Sequence, residues 1–131
     1  MRVVLDASAA LEVVLNRGRA EQFAEQLQQA SEVLAPDLFV AEVVNTIWKY
    51  HRFENLSLSD CDRALELSLG LADTLVSCKE LYREAFLLAR TVRRPAYDMF
   101  YFALARREDA LILTADAALR KEAEHQGIRA P

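Results

Sequence analysis

Three times in 131 residues a short, wholly apolar run breaks off at a polar residue that opens a helical segment. Val3-Val4-Leu5 stops at Asp6, Val33-Leu34-Ala35, within a strand expected over Ser31 to Ala35, stops at Pro36-Asp37, and Ala110-Leu111-Ile112-Leu113 stops at Thr114. Runs this short, with no polar alternation, read as strands covered on both faces. Strands that alternate with helices imply a parallel sheet between two helical layers, so the chain predicts an α/β fold, a three-layer α/β/α sandwich. Thr74 to Ser77 reads as a further strand, and a short edge strand is expected near Ile128, after a helix cap at Gly127. A chain of this length is one domain, 1–131, with no linker or internal repeat.

Helices are expected over 7–15, 19–30, 37–52, 79–92 and 96–107, with another starting at Asp116. A Ser59/Asp62 capping box would start one that runs to Gly70. The segment from Asp37 to Arg52 is the most distinctive. Its apolar residues Phe39, Val40, Val43, Val44, Ile47 and Trp48 recur at helical spacing, and Glu42, Asn45 and Lys49 form a polar stripe beside them.

With 53% hydrophobic residues, three glycines and three prolines, disorder and low complexity are excluded. No apolar run approaches the roughly 18 residues of a membrane span, and the three apolar residues before Asp6 are too few for a signal-peptide core, so the expected location is cytoplasmic. Cys61 and Cys78 match neither a disulfide framework nor a zinc spacing and read as buried thiols. The net charge of −4 argues against a nucleic-acid binder held by counterion release, unless the acids are gathered where divalent cations neutralise them.

Ligands of an open parallel sheet bind beyond the carboxyl ends of its strands, which sorts the acids. Asp6 and Asp116 follow the first and last of the three runs, Glu42 lies one to two turns into the helix after the second, and Asp98 lies in the first turn of a strongly apolar helix. Asp109 precedes its strand and falls about 16 Å from that end. Asn45, one turn beyond Glu42, is placed to hydrogen-bond and orient it. Converging carboxylates repel unless a cation sits among them, and such hard oxygen ligands suit Mg²⁺ or Mn²⁺. The chemistry that uses such a site is attack of water on a phosphodiester. Each acid also has a plainer role to set against this one: Asp6, Ser8 and Asp116 stand where helices are capped, and Asp98 where an acid complements the helix dipole.

Val4-Leu5-Asp6-Ala7-Ser8-Ala9-Ala10-Leu11, Ala35-Pro36-Asp37 leading to Glu42-Val43-Val44-Asn45, Tyr97-Asp98 followed by Tyr101-Phe102-Ala103-Leu104-Ala105, and Leu113-Thr114-Ala115-Asp116 follow one another along nearly the whole chain. In that order and spacing they resemble the PIN domain, and the size resembles the VapC-type toxins of toxin–antitoxin pairs. The resemblance implies a PIN-like sandwich and a Mg²⁺- or Mn²⁺-dependent endoribonuclease with Asp6, Glu42, Asp98 and Asp116 as its acidic cluster. Asp6, Asp98 and Asp116 would hold the metal, Glu42 would hold a metal or orient the attacking water, and Ser8, Asn45 and Thr114 would support them. It further implies an RNA substrate, with transfer or ribosomal RNA as the guess, a homodimer, and a cognate antitoxin covering the groove.

Arg17-Gly18-Arg19, Lys49 to Arg52 and Arg93-Arg94 flank the acids as candidate phosphate contacts, although basic residues also serve helix ends. The aromatics Trp48, Tyr50, Phe53, Tyr97 and Tyr101 read as core or interface rather than as a base-stacking platform. A phosphotransfer receiver needs an acidic pair after its first strand, and a haloacid-dehalogenase-like phosphatase needs Asp-x-Asp. Asp6-Ala7-Ser8 satisfies neither. The alternative that keeps the fold is a non-catalytic PIN-fold protein-interaction module, separable by activity.

Overall fold

In the computed structural model, which describes residues 1–131, the apolar runs become the strands β1 (Arg2–Leu5), β2 (Glu32–Pro36) and β4 (Leu111–Leu113), and Thr74–Val76 forms β3. All pairings are parallel and the order is β3-β2-β1-β4. The chain moves outward from β1 through β2 to β3, then returns to the other side of β1. The neighbours β1 and β4 therefore flank the switch point at which an open α/β sheet forms its crevice.

The two-residue period of a strand divides the core in two. Val4, Leu34, Val76 and Ile112 face one way and pack with α5 (Tyr82–Val92), α6 (Ala96–Glu108) and α7 (Ala117–His125). Val3, Leu5, Val33, Ala35, Leu111 and Leu113 face the other way, against α1 (Ala7–Leu15), α2 (Ala20–Gln29), α3 (Leu38–Glu54) and α4 (Leu58–Gly70). Residues without polar alternation are thus needed on both faces, which is the three-layer sandwich expected.

Several local expectations are corrected. No strand forms near Ile128: the segment after α7 gives the sheet one backbone bond, Ile112 N–H to the Arg129 carbonyl at 2.9 Å. The cap of α4 is Ser57, whose Oγ accepts from the Asp60 amide, and not Ser59. The helix expected over 79–92 is broken, with a single 3-10 turn at Cys78–Glu80 before α5. Cys61 is buried as expected, whereas Cys78 is only partly so. No helix is long and apolar enough to cross a membrane.

Candidate active site

β1 ends at Leu5, and Asp6 follows in extended conformation at the position that caps α1. Its carboxylate does not cap. Oδ2 accepts instead from the hydroxyls of Thr114 at 2.6 Å and Ser8 at 2.8 Å. These hydroxyls are themselves fixed: the Asp116 amide donates to Thr114 Oγ1 at 3.1 Å, and the Ala115 amide donates to Ser8 Oγ at 3.0 Å. Thr114, fully buried just past β4, thereby ties the end of β1 to the backbone that carries Asp116. The capping role considered for Asp6 is displaced by this network, while Asp116 does cap α7, accepting at Oδ1 from the Ala118 and Leu119 amides. Its other oxygen carries no bond.

Glu42 enters from α3 and Asp98 from the first turn of α6, helices of opposite layers. Both reach the carboxyl edge of the sheet. Asp98 is partnered by Arg94 one turn earlier, at a long 3.7 Å. The bond to Glu42 expected from Asn45 is not made. Asn45 is exposed, and Glu42 Oε1 accepts instead from the Tyr101 hydroxyl at 2.5 Å. Asp109 lies in a left-handed turn before β4, at the far end as anticipated.

The electrostatics record the convergence. Burial raises the pKa of Asp6, although the Thr114 and Ser8 hydroxyls oppose it. Burial likewise lifts Glu42, opposed by the Tyr101 hydrogen bond and reinforced by repulsion from Asp6 and Asp98. Asp98 is raised by burial and by Asp6, against the pull of Arg94, with a further push from Asp116. Like charges that act on one another across β1, α3, α6 and the end of β4 occupy one site. A cleft of about 250 Å³ opens on the α1 and α3 side of the acids, bordered by Asp6, Ser8, Glu42, Thr46 and Tyr50 but not by Asp98 or Asp116. A larger hollow of about 560 Å³ lies at the other end of the sheet beside Met1 and Ile128, away from these acids.

As the side chains stand, no three histidine, cysteine, aspartate or glutamate groups are close enough to grip one metal ion. The donor chemistry nevertheless fits a hard divalent cation. The acids are paired by a single cation, Arg94, and Asp116 Oδ2 and Glu42 Oε2 are in no hydrogen bond.

The model of the PIN domain matches residues 3–124. The chain belongs to the PIN-domain family. Over 124 residues it is 32% identical to "Ribonuclease VapC3" of Pyrobaculum aerophilum, covering 93% of this chain and 95% of that one. Two solved structures share the PIN fold at lower identity. VapC20 of Mycobacterium tuberculosis, described as a sarcin-ricin loop cleaving toxin, superposes with a TM-score of 0.66 at 15% identity, covering 92% of this chain and 94% of that one. VapBC2 of Rickettsia felis, bound to a DNA fragment from its promoter, gives 0.68 at 14%, covering 100% and 98%.

Within this PIN domain, two further side chains border the acids: Tyr101, which the sequence places only in the core or an interface, and Glu12, to which it gives no role. Tyr101 sits three residues after Asp98, a spacing that puts both on one face of α6. Glu12, on α1, borders the cleft and accepts the Arg19 amide at 2.9 Å. Of the basic candidates, Arg17 is occupied with Glu54 and the Tyr50 ring, Arg19 lies over Phe23, and Arg94 is beside Asp98. Lys49, Arg52 and Arg93 are exposed and form no ion pair. Among the aromatics, Tyr101 is core, whereas Trp48, Phe53 and Tyr97 stand more than half exposed.

Proposed function

We propose that this PIN-domain chain is a metal-dependent endoribonuclease that hydrolyses RNA phosphodiesters, the toxin member of a toxin–antitoxin pair. The observation that carries this reading is the meeting of Asp6, Glu42, Asp98 and Asp116 at the switch point, with three of the four held above their ordinary pKa by burial, and Glu42 and Asp98 also by repulsion from their neighbours. Carboxylates crowded together in a cleft with raised pKa values mark a functional site. The relative named a ribonuclease, matched along almost its whole length, supports the same reaction class.

Asp6, Asp98 and Asp116 are the residues that would hold Mg²⁺ or Mn²⁺. Bound there, the cation supplies a lowered pKa for the attacking water and neutralises charge on the phosphate oxygens. Hydrogen bonds from Thr114 and Ser8 aim Asp6 and favour its ionised form against the effect of burial. Asp116 is anchored through Oδ1 and leaves Oδ2 for a ligand, while Asp98 is the member with freedom to turn, because its pair with Arg94 is long. Glu42 Oε2 accepts from the water that attacks phosphorus in line, and a carboxylate raised toward the working pH is the better proton acceptor. This route uses no ribose 2′-hydroxyl and leaves 5′-phosphate and 3′-hydroxyl ends.

Lys49 and Arg93 are the exposed cations offered to phosphates on either side, with Arg52, which lies over the Phe53 ring, as a third; Ser8 and Thr114 serve geometry rather than nucleophilic attack, and structured RNA such as transfer or ribosomal RNA is the substrate class. The exposed Trp48 and Phe53, packed edge to face with centroids 6.1 Å apart, offer an apolar surface for a second copy or for an antitoxin. Metal-dependent cleavage of RNA by the purified chain, lost on Asp98→Asn, is the test. A folded protein that binds an antitoxin and cuts no RNA would instead favour the non-catalytic module.

A further inference from the structure

The geometry points to Tyr101 as a positioning residue that holds Glu42 in its working orientation by a hydrogen bond across the two helical layers. This rests on the ribonuclease reading of the same site, and it assigns the role expected of Asn45 to a different element.

Tyr101 belongs to the core cluster through which α6 packs on the sheet and is 1% exposed. Its ring cannot turn without disturbing that core, so the hydroxyl is fixed in space. It donates to Glu42 Oε1 over 2.5 Å, the length of a hydrogen bond between a hydroxyl and a charged carboxylate. No other side chain or amide binds this carboxylate. The Thr46 hydroxyl, one turn further along α3, bonds the Glu42 carbonyl and leaves the side chain alone. A glutamate has three rotatable bonds, and Asp6 and Asp98 push its carboxylate away from the place where it is needed. Tyr101 is the one bonded partner opposing that push.

The donor is also of the right kind. Burial and the surrounding carboxylates hold the Tyr101 pKa far above its ordinary value, so the hydroxyl keeps its proton and acts only as donor toward Glu42. Asp98 and Tyr101 lie three residues apart on α6, so one rigid helix delivers a ligand carboxylate and sets the orientation of the glutamate opposite. A residue that holds a reacting group in place by a locked side chain is the kind of support on which orientation depends, and a misplacement of 1 Å costs about a hundredfold in rate.

Tyr101→Phe keeps the ring and removes the hydroxyl. Two readouts decide the matter. In metal-free protein, the Tyr101 hydroxyl proton, shielded in a short bond, gives a slowly exchanging downfield proton resonance that is absent from Tyr101→Phe and moves upfield in Glu42→Gln. In cleavage assays at saturating metal, Tyr101→Phe loses about 10- to 100-fold in kcat, with KM within about twofold, while it still unfolds cooperatively. The proposal is overturned by a kcat within about twofold of the parent, by a loss that falls on KM, or by a hydroxyl resonance indifferent to Glu42→Gln. A parent protein that cleaves no RNA defeats the ribonuclease reading instead and takes the positioning role with it, even if the resonance shows that the bond exists.

Discussion

Replacing Thr114 by valine keeps the shape of a fully buried side chain and removes one oxygen that does two jobs. That oxygen donates to Asp6 Oδ2 at 2.6 Å and accepts from the Asp116 amide at 3.1 Å. A hydrogen bond to a charged group contributes about 1.5–3 kcal/mol, and stranding a partly buried amide costs about 1 kcal/mol or more. Asp6 keeps the Ser8 hydroxyl, so we expect a loss of about 2–4 kcal/mol at pH 7. For a chain of 131 residues 1 kcal/mol is worth about 4 °C, which puts the melting temperature about 8–15 °C lower. Thr114→Ser, which keeps the oxygen and gives up a methyl group, should lose only about 1 kcal/mol. Losing a donor raises the Asp6 pKa further in the valine variant, so its deficit should narrow on acidification as Asp6 takes up its proton. Thermal and urea unfolding of the three proteins in EDTA, at pH 7 and at mildly acid pH, measures all of this. A valine variant within about 0.5 kcal/mol of the parent at neutral pH would refute the coupling of Asp6 to the end of β4.

Asp6, Glu42 and Asp98 all have raised pKa values, so the folded chain holds protons that the unfolded chain has released. Their contribution to stability is full below the ordinary carboxylate range and is lost as the pH rises through the raised values. Asp37, held low by Cys78, has the opposite sign but lies exposed. The metal-free melting temperature should therefore fall from mildly acid to neutral pH, and millimolar Mg²⁺ or Mn²⁺ should restore it; a rise over that window without metal would contradict the crowding. Asp98→Asn should lose at least about a hundredfold in cleavage yet unfold at a higher temperature in EDTA, since it removes a charge that its surroundings disfavour. Asp109→Asn, at the far end of β4 and compatible with a left-handed turn, should cleave within about twofold of the parent.

The strands at the centre of the sheet were legible because each is a short run that stays apolar on both faces, and helical formers follow at once. The acids were legible because each sits a fixed step beyond such a run or within the first turns of its helix. What escaped was decided by competition between near-equal local choices. Ser57 and Ser59 each precede an aspartate by three residues, so the sequence offers two overlapping caps. The left-handed turn at Asn55 ends α3 early enough for the first to be used, which puts Cys61 and Ala64 into the core. The segment expected as a final strand makes one backbone bond to the sheet, Ile112 N–H to the Arg129 carbonyl, and no ladder. Spacing within one helix points to Asn45 as the partner of Glu42, whereas the partner that binds it comes from α6, 59 residues along the chain. Such a contact depends on how two layers meet above the sheet, which spacing within one element does not report. Among the aromatics, helical spacing alone could not separate the buried Tyr101 from the exposed Trp48 and Tyr97.

The central claim is that four converging carboxylates cut RNA with the help of a divalent cation. The measurement that tests it most directly is cleavage of end-labelled structured RNA by the purified, partner-free chain in Mg²⁺ or Mn²⁺, beside an EDTA control and Asp98→Asn. Discrete cuts that bear 5′-phosphates, vanish in EDTA and are lost in the variant are expected. Cuts that persist in EDTA or survive Asp98→Asn would contradict the claim.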